Sequence, residues 1–286
     1  MGIKILITGA NGYIGSHVAN LAYELGYDVV ACDFSNSNLN PSIEFKNINI
    51  LDLANNDDLY TKLGNPTHVI HFAWKDGFSH NAPSHIENLP KHFDFIKNLI
   101  DFGCKSISIM GTMHEIGYVE GIIRENTPCN PLNFYGIAKN ALRQSTLLYA
   151  KDKETSIKWL RAYYIYGNDE KNHSIFTKLI QAEKEGKETF PFTDGTNFYD
   201  FIHIDELSNQ ILAATLQNEI DGIINVCSGK PVSLKDKVEE YLKEHNFKIK
   251  LNYGVFPKRQ YDSPIVYGEN LKITKILENY KKGINV

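Results

Sequence analysis

Tyr135 and Lys139 stand four residues apart in Tyr135-Gly-Ile-Ala-Lys139, in a stretch to Ala150 whose periodicity predicts a helix. That spacing puts both side chains on one helical face. A free tyrosine has a pKa of roughly 10, too high to exchange protons readily near neutrality. An adjacent ammonium favours the phenolate and is expected to shift that value toward working pH, which makes the pair a candidate acid/base couple. A second group, Gly9-Ala-Asn11-Gly12-Tyr13-Ile14-Gly15, follows a strand-like run and opens a helix-like one. Its glycines permit a tight turn and a close approach of backbone to a pyrophosphate, and the helix N-terminus offers N–H groups and partial positive charge. The spacing is GxxGxxG, a variant of the GxGxxG dinucleotide fingerprint. Asp33 ends the second strand-like run, where a carboxylate accepts hydrogen bonds from adenosine ribose hydroxyls and repels a 2′-phosphate. No arginine neighbours it, so NAD(H) is favoured and NADP(H) stays open. Asp52-Leu53, after the next apolar run, is a candidate adenine contact.

These groups need a frame. Apolar runs at Ile3–Thr8, Val29–Asp33, Ile48–Leu51, His68–Phe72, Ser106–Met110 and Ile157–Tyr163 read as buried strands. Helical stretches lie at about Tyr13–Leu25, Leu89–Phe102 and Tyr135–Ala150, with Gly26 and Gly103 placed to end the first two. Such alternation predicts an α/β fold, a Rossmann-type doubly wound parallel sheet covered by helices on both faces. After about residue 165 the rhythm changes. Strand-like Phe198–Ile202 and Gly222–Val226 alternate with helices near Asp205–Leu216 and Ser233–Glu244. The expected organisation is a dinucleotide-binding domain over residues 1–165 and a smaller α/β lobe over 166–286, mainly substrate-binding and interleaved with the first.

Composition narrows the class. Over 286 residues, 42% hydrophobic and 22% charged residues match a soluble globular chain, and a net charge of −4 argues against a nucleic-acid partner held by phosphate contacts. No apolar run reaches the ~20 residues of a membrane span, and Ile3–Ile7 has neither flank of a signal peptide. Cys32, Cys104, Cys129 and Cys227 lie far apart with no CxxC, so reduced thiols and a cytoplasmic setting are expected. No histidine pattern has metal-ligand spacing, and His68 and His71 read as packing residues, so no metal is expected.

Together these residues resemble the extended short-chain dehydrogenase/reductases, the NAD-dependent epimerase/dehydratase group. The resemblance rests on Ile5 to Gly15, Val69 to Ala73, Tyr135 to Lys139, Arg161 to Gly167, Tyr199 to Asp205, Asn225 to Gly229 and Arg259 to Asp262. It implies that Thr112 hydrogen-bonds the reacting sugar oxygen, that Tyr135 is the acid/base, and that Lys139 supports it and binds the nicotinamide ribose. Phe72 and Ala73 match the loop along the cofactor, and Asn88 matches an asparagine opening the helix beneath the site. Tyr164 and Arg259 match substrate-binding positions, Arg259 as a bidentate holder of the nucleotide diphosphate. One departure is Tyr199, which stands before Asp200 where the family often has arginine.

The resemblance also orders the reactions. The family's 4,6-dehydratases usually follow the catalytic threonine with Asp-Glu, whereas Met113-His114 follow here, which disfavours dehydration. Gly111 to Gly117, with Glu125 to Pro128, is most similar to bacterial reductases of nucleotide-linked 4-keto-6-deoxy sugars that serve surface polysaccharides. NAD(P)H-dependent reduction at C4 is the leading expectation, a 4-epimerase with tightly bound NAD the alternative, and a non-catalytic dinucleotide-sensing regulator the reading from another class. His114 sits at the offset of a proton-transferring residue in related epimerase-reductases, so acid/base work and sugar binding are both open for it. His173 falls in the loop of their second acid/base. The partners implied are a nucleotide sugar and a second copy of the chain in a homodimer.

Overall fold

The computed structural model describes residues 2–52, 54, 56, 58–167, 174–257 and 263–283. In chain order its first half runs β1 (Lys4–Thr8), α1 (Tyr13–Glu24), β2 (Asp28–Asp33), β3 (Glu44–Asn47), α2 (Leu59–Lys62), β4 (His68–His71), α3 (Ser84–Glu87), α4 (Leu89–Asp101) and β5 (Ser106–Thr112). A 3-10 turn (Met113–Glu115), β6 (Gly121–Ile123), α5 (Phe134–Tyr149) and β7 (Ser156–Ala162) follow. The second half runs β8 (Tyr164–Tyr166), α6 (Ile175–Lys184), β9 (Thr189–Pro191), β10 (Phe198–His203), α7 (Ile204–Leu216) and β11 (Gly222–Val226). It ends with β12 (Pro231–Ser233), α8 (Leu234–Glu244), β13 (Lys250–Asn252), β14 (Ile265–Gly268) and α9 (Leu271–Lys281).

Seven parallel strands form the main sheet in the order β11-β7-β5-β4-β1-β2-β3. Side chains alternate between its faces, and both faces are dry. Ile5, Ile7, Ile70 and Met110 point into one apolar layer, which α1, α7 and α9 close with Val18, Ile211 and Ile273. Leu6, Val69, Ile107 and Ile109 point into the other, closed by α4 and α5 through Phe95, Leu99 and Leu142. Each such fully buried Ile, Leu or Val stabilises the fold by about 1.5–3 kcal/mol, so the alternation itself fixes which way every strand faces. The α/β doubly wound sheet expected from the sequence is present.

The chain after residue 166 contributes to both parts of the molecule. β11 pairs with β7 at one edge of the main sheet, and α7 packs on the same face as α1. A smaller five-stranded sheet, β12-β10-β14-β6 with β8 beside β10, and the β13–β9 pair share a third apolar cluster with α6 and α8.

One strand lies elsewhere than the apolar pattern predicts. The third strand is Glu44–Asn47, and Ile48 to Asp52 leave the sheet, with Asn49 turning onto Asp52. Ile50 is buried all the same, under a turn that packs on the second apolar layer. All four cysteines are free. Among the described residues no helix is long and apolar enough to cross a membrane, and no three His, Cys, Asp or Glu side chains could hold a metal ion.

Candidate active site

The loop from β1 to α1 crosses the carboxyl edge of the sheet, where β1 and β4 part. Gly9 has φ +67°, and a Cβ there would lie 2.6 Å from the Ala73 backbone nitrogen. A Cβ on Gly15 would lie 2.1 Å from the Gly9 carbonyl oxygen. Both positions therefore demand glycine, and the bare backbone forms a cradle at the N-terminus of α1, a site fitted to a diphosphate. Asn11 ties this loop to the next. Its N–H donates to Asp33 Oδ2 (2.8 Å), and its side chain bonds Ser35 Oγ (2.7 Å) and the Asn38 N–H (2.8 Å). Asp33 Oδ1 accepts from Phe34 N–H (2.7 Å), so the carboxylate is fixed at the end of β2 with acceptor capacity left for ribose hydroxyls.

A cavity of about 630 Å³ runs along this edge, bordered by Gly9, Gly12, Asp33, Asp52, Phe72 and Ala73. A second, of about 450 Å³, is bordered by Tyr13, Ile14, Gly15, Thr112, Tyr135 and Lys139. Gly9, Gly12, Phe72 and Trp74 border both, which makes the two the halves of one cleft of ligand-pocket size. Its length, glycine cradle and ribose-side carboxylate fit a dinucleotide.

At the inner half, β5 ends in Thr112, which is buried. Its hydroxyl accepts from His114 N–H (3.3 Å) and its N–H donates to Glu115 Oε1 (2.8 Å), a capping box that closes the 3-10 turn. Asn133 caps α5 by accepting from Gly136 N–H (2.8 Å), and Tyr135 N–H donates to the His80 carbonyl (2.9 Å). These bonds aim the first turn of α5 at the cleft. Thr112 hydrogen-bonds the Tyr135 phenol, yet burial dominates and pushes the phenol up to about 12. Burial likewise pushes the Lys139 ammonium down to about 7, against the attraction of Glu115.

The lowering of the phenol by the ammonium, expected from the sequence, is not seen: burial raises it and the opposing group is Thr112. Lys139 Nζ lies 5.9 Å from the Tyr135 ring centroid. It donates instead to the Met110 carbonyl (2.8 Å) and sits 3.8 Å from the centroid of the Trp74 ring. Trp74 itself stacks on His92 (4.4 Å, 15°) and donates its indole N–H to His85 Nδ1 (3.0 Å). His92 Nδ1 is 3.0 Å from His71 Nε2, and His71 Nδ1 is 2.8 Å from Thr8 Oγ1. Burial holds His92 down to about 3 and His71 well below the usual histidine range, so this shell is neutral. On the open side His80 stacks on Tyr135 (5.4 Å, 12°) and lies 4.5 Å from His114. Burial, with His80 beside it, holds His114 down to about 4, a neutral imidazole that can accept a proton or a sugar hydroxyl.

Two supports were not read from the sequence. Glu115 is fully buried, with Oε1 also accepting from Trp159 Nε1 (2.8 Å) and Oε2 facing Arg143 (3.5 Å) and Arg161 (3.6 Å). The Thr-x-x-Glu spacing was its visible signal. Trp74 gave no signal beyond an aromatic at the end of an apolar run.

Tyr164 borders the inner cavity and packs against Tyr199, ring centroids 4.3 Å apart at a 32° tilt. Asp200 accepts from the N–H groups of Ser228, Gly229 and Gly268, and is spent on structure. Asn88 opens α4 and borders the outer cavity. Leu53, His173 and Arg259 lie outside the described residues.

Residues 5–227 match the NAD dependent epimerase/dehydratase family. The chain belongs to this family. The dTDP-6-deoxy-L-talose 4-dehydrogenase (NAD(+)) of Aggregatibacter actinomycetemcomitans is 45% identical over 272 residues, covering 93% of this chain and 99% of that protein. The UDP-glucose 4-epimerase of Corynebacterium glutamicum is 28% identical over 259 residues, 83% of this chain and 79% of that one. In fold, the chain is similar to the UDP-glucose 4-epimerase from Brucella ovis in complex with NAD, with a TM-score of 0.82 at 21% identity over 96% of this chain and 92% of that one. As a member of the epimerase/dehydratase family, the protein is an NAD-dependent oxidoreductase of the extended short-chain dehydrogenase/reductase type.

Proposed function

We propose that the protein moves a hydride between NAD(H) and C4 of a dTDP-linked 6-deoxyhexose, interconverting the 4-hydroxy and 4-keto sugars. The observation that carries this reading is the Tyr135 phenol, hydrogen-bonded by Thr112 and one helical turn from Lys139, in the same cleft as the glycine cradle. Reduction of a ketone needs a proton for the new alkoxide, which a phenol at that oxygen supplies, and the reverse oxidation needs the same group ionised to take the proton back. The sugar class rests on the 45% identical 4-dehydrogenase, whose named reaction is the same step written as oxidation.

NAD bound along the cleft supplies or accepts the hydride. The remaining work belongs to the chain. Tyr135 gives its proton to the C4 oxygen in reduction and takes it back in oxidation. Thr112 hydrogen-bonds that oxygen, and Lys139 holds a ribose hydroxyl and places positive charge near the phenol. His114, two residues after Thr112, binds a neighbouring sugar hydroxyl. Met113 offers no proton-transfer group, so the chemistry stops at the redox step.

The test is dTDP-6-deoxy-L-talose with NAD⁺ and with NADP⁺, followed by nicotinamide absorbance. Reduction of NAD⁺ in proportion to sugar oxidised is expected, and Asp33 predicts a preference over NADP⁺. The second reading, a 4-epimerase, is favoured by the UDP-sugar 4-epimerases among the relatives. It predicts NAD retained through purification and sugar interconversion with no net change in cofactor.

A further inference from the structure

Lys139 has an unusual neighbour. Its side chain is buried, its hydrogen bond among the described residues goes to one carbonyl, and Glu115 stands behind the turn. A lone ammonium in such a place loses hydration that one carbonyl does not replace. The face of an indole lies 3.8 Å away. That indole is fixed by its N–H bond to His85, whose Nε2 donates to the Ser79 carbonyl (3.1 Å), and by its stack on His92.

We propose that Trp74 is a positioning residue of the active site: its ring face holds the Lys139 ammonium charged and aimed into the cleft, while His85 and His92 hold the ring. A desolvated cation over an indole face is attracted by the ring quadrupole, most strongly of the aromatic side chains for tryptophan. The other groups facing Lys139 are His71 on β4, His92 on α4, Glu115 in the 3-10 turn and Tyr135 on its own helix. The histidines are neutral, and a proton on either would repel the ammonium. Trp74 borders both halves of the cleft, so the same contact places the lysine where a bound dinucleotide passes from one half to the other. This role deepens the proposed redox reaction, and its test does not depend on the sugar.

The chain has two tryptophans, and Trp159 is fully buried against Glu115. Tryptophan emission of the cofactor-free protein is titrated from about pH 6 to pH 10, a window that spans the lowered range of the buried Lys139 ammonium, about 7. A step is expected in the wild type and not in Lys139→Met. NADH affinity, read by nicotinamide fluorescence, is then followed over the same range. In Trp74→Leu the loss of affinity with rising pH sets in about one pH unit lower, an equivalent of about 1.4 kcal/mol, and Trp74→Phe, which keeps a ring face, restores most of the shift. A Trp74→Leu profile that matches wild type, or an emission step that survives Lys139→Met, overturns the proposal. Should Trp74→Leu not fold, the Lys139→Met comparison, with Trp74 intact, decides alone. Failure of dTDP-6-deoxy-L-talose to react with NAD⁺ would leave these cofactor-free and NADH readouts standing, and would count against the sugar reading only.

Discussion

At the scale of single residues, the proposed reaction divides the site into groups that touch the reacting atoms and groups that set their charge. Tyr135→Phe removes the proton donor and leaves the glycine cradle whole. The turnover of dTDP-6-deoxy-L-talose is expected to fall by at least about 10³-fold, while NADH still binds; retained turnover would remove Tyr135 from the reaction. Asp33→Ala removes the carboxylate that repels a 2′-phosphate, and the ratio of kcat/KM for NADP⁺ to that for NAD⁺ is expected to rise. Tyr135, Lys139, the glycines and Asp33 were legible because each belongs to a spacing with a mechanical reason. The charge states were not. Spacing along a helix predicts that a lysine and a tyrosine share a face, but not that the lysine turns to an indole and a carbonyl, nor that burial raises the phenol.

At the scale of elements, the strands that carry the site follow the apolar pattern, and the exception has a physical cause. β3 is an edge strand of mixed polarity, Glu44 to Asn47, with nothing to mark it as buried. The apolar run beside it reports a turn pressed onto the core and a wall of the outer cavity. Hydrophobicity there measures burial, not strand. The first turn of α1 is less forgiving: Gly15→Ala drives a Cβ against the Gly9 carbonyl, and NADH binding is expected to be lost by fluorescence titration while the far-UV spectrum is kept. The turn after β5 depends on one carboxylate between two guanidiniums. Glu115→Gln leaves the buried Arg161 and the partly buried Arg143 without their counter-ion, and chemical denaturation is expected to report a loss of about 3 kcal/mol. The histidine shell beneath Trp74 makes the molecule sensitive to acid. His92 stays neutral in the fold to about 3, whereas an unfolded histidine gains its proton below roughly pH 6.5. Acidification therefore feeds protons to the unfolded form first, and His92 alone lowers stability by about 2 kcal/mol at pH 5. His92→Phe is expected to flatten the fall in melting temperature between about pH 7 and pH 5.

At the scale of the whole molecule, the two ends of the chain are interlocked. The face of the main sheet that carries Ile5, Ile7 and Ile70 is covered by α1 together with Ile204, Leu207 and Ile211 of α7, and β11 completes the edge beside β7. A fragment of residues 1–165 would leave that face wet, so it is expected to elute as aggregate and to bind no NADH; a monomeric fragment that binds the cofactor would contradict this. Sequence periodicity read α7 and β11 as elements, but their place on the first sheet depends on pairings across long stretches of chain, which a local pattern does not encode. The late position of α7 has a consequence for synthesis. Translation proceeds from the N-terminus, and this face of the sheet cannot close until α7 and then α9 have left the ribosome, so the nascent chain must carry an open apolar layer that chaperones are suited to shield.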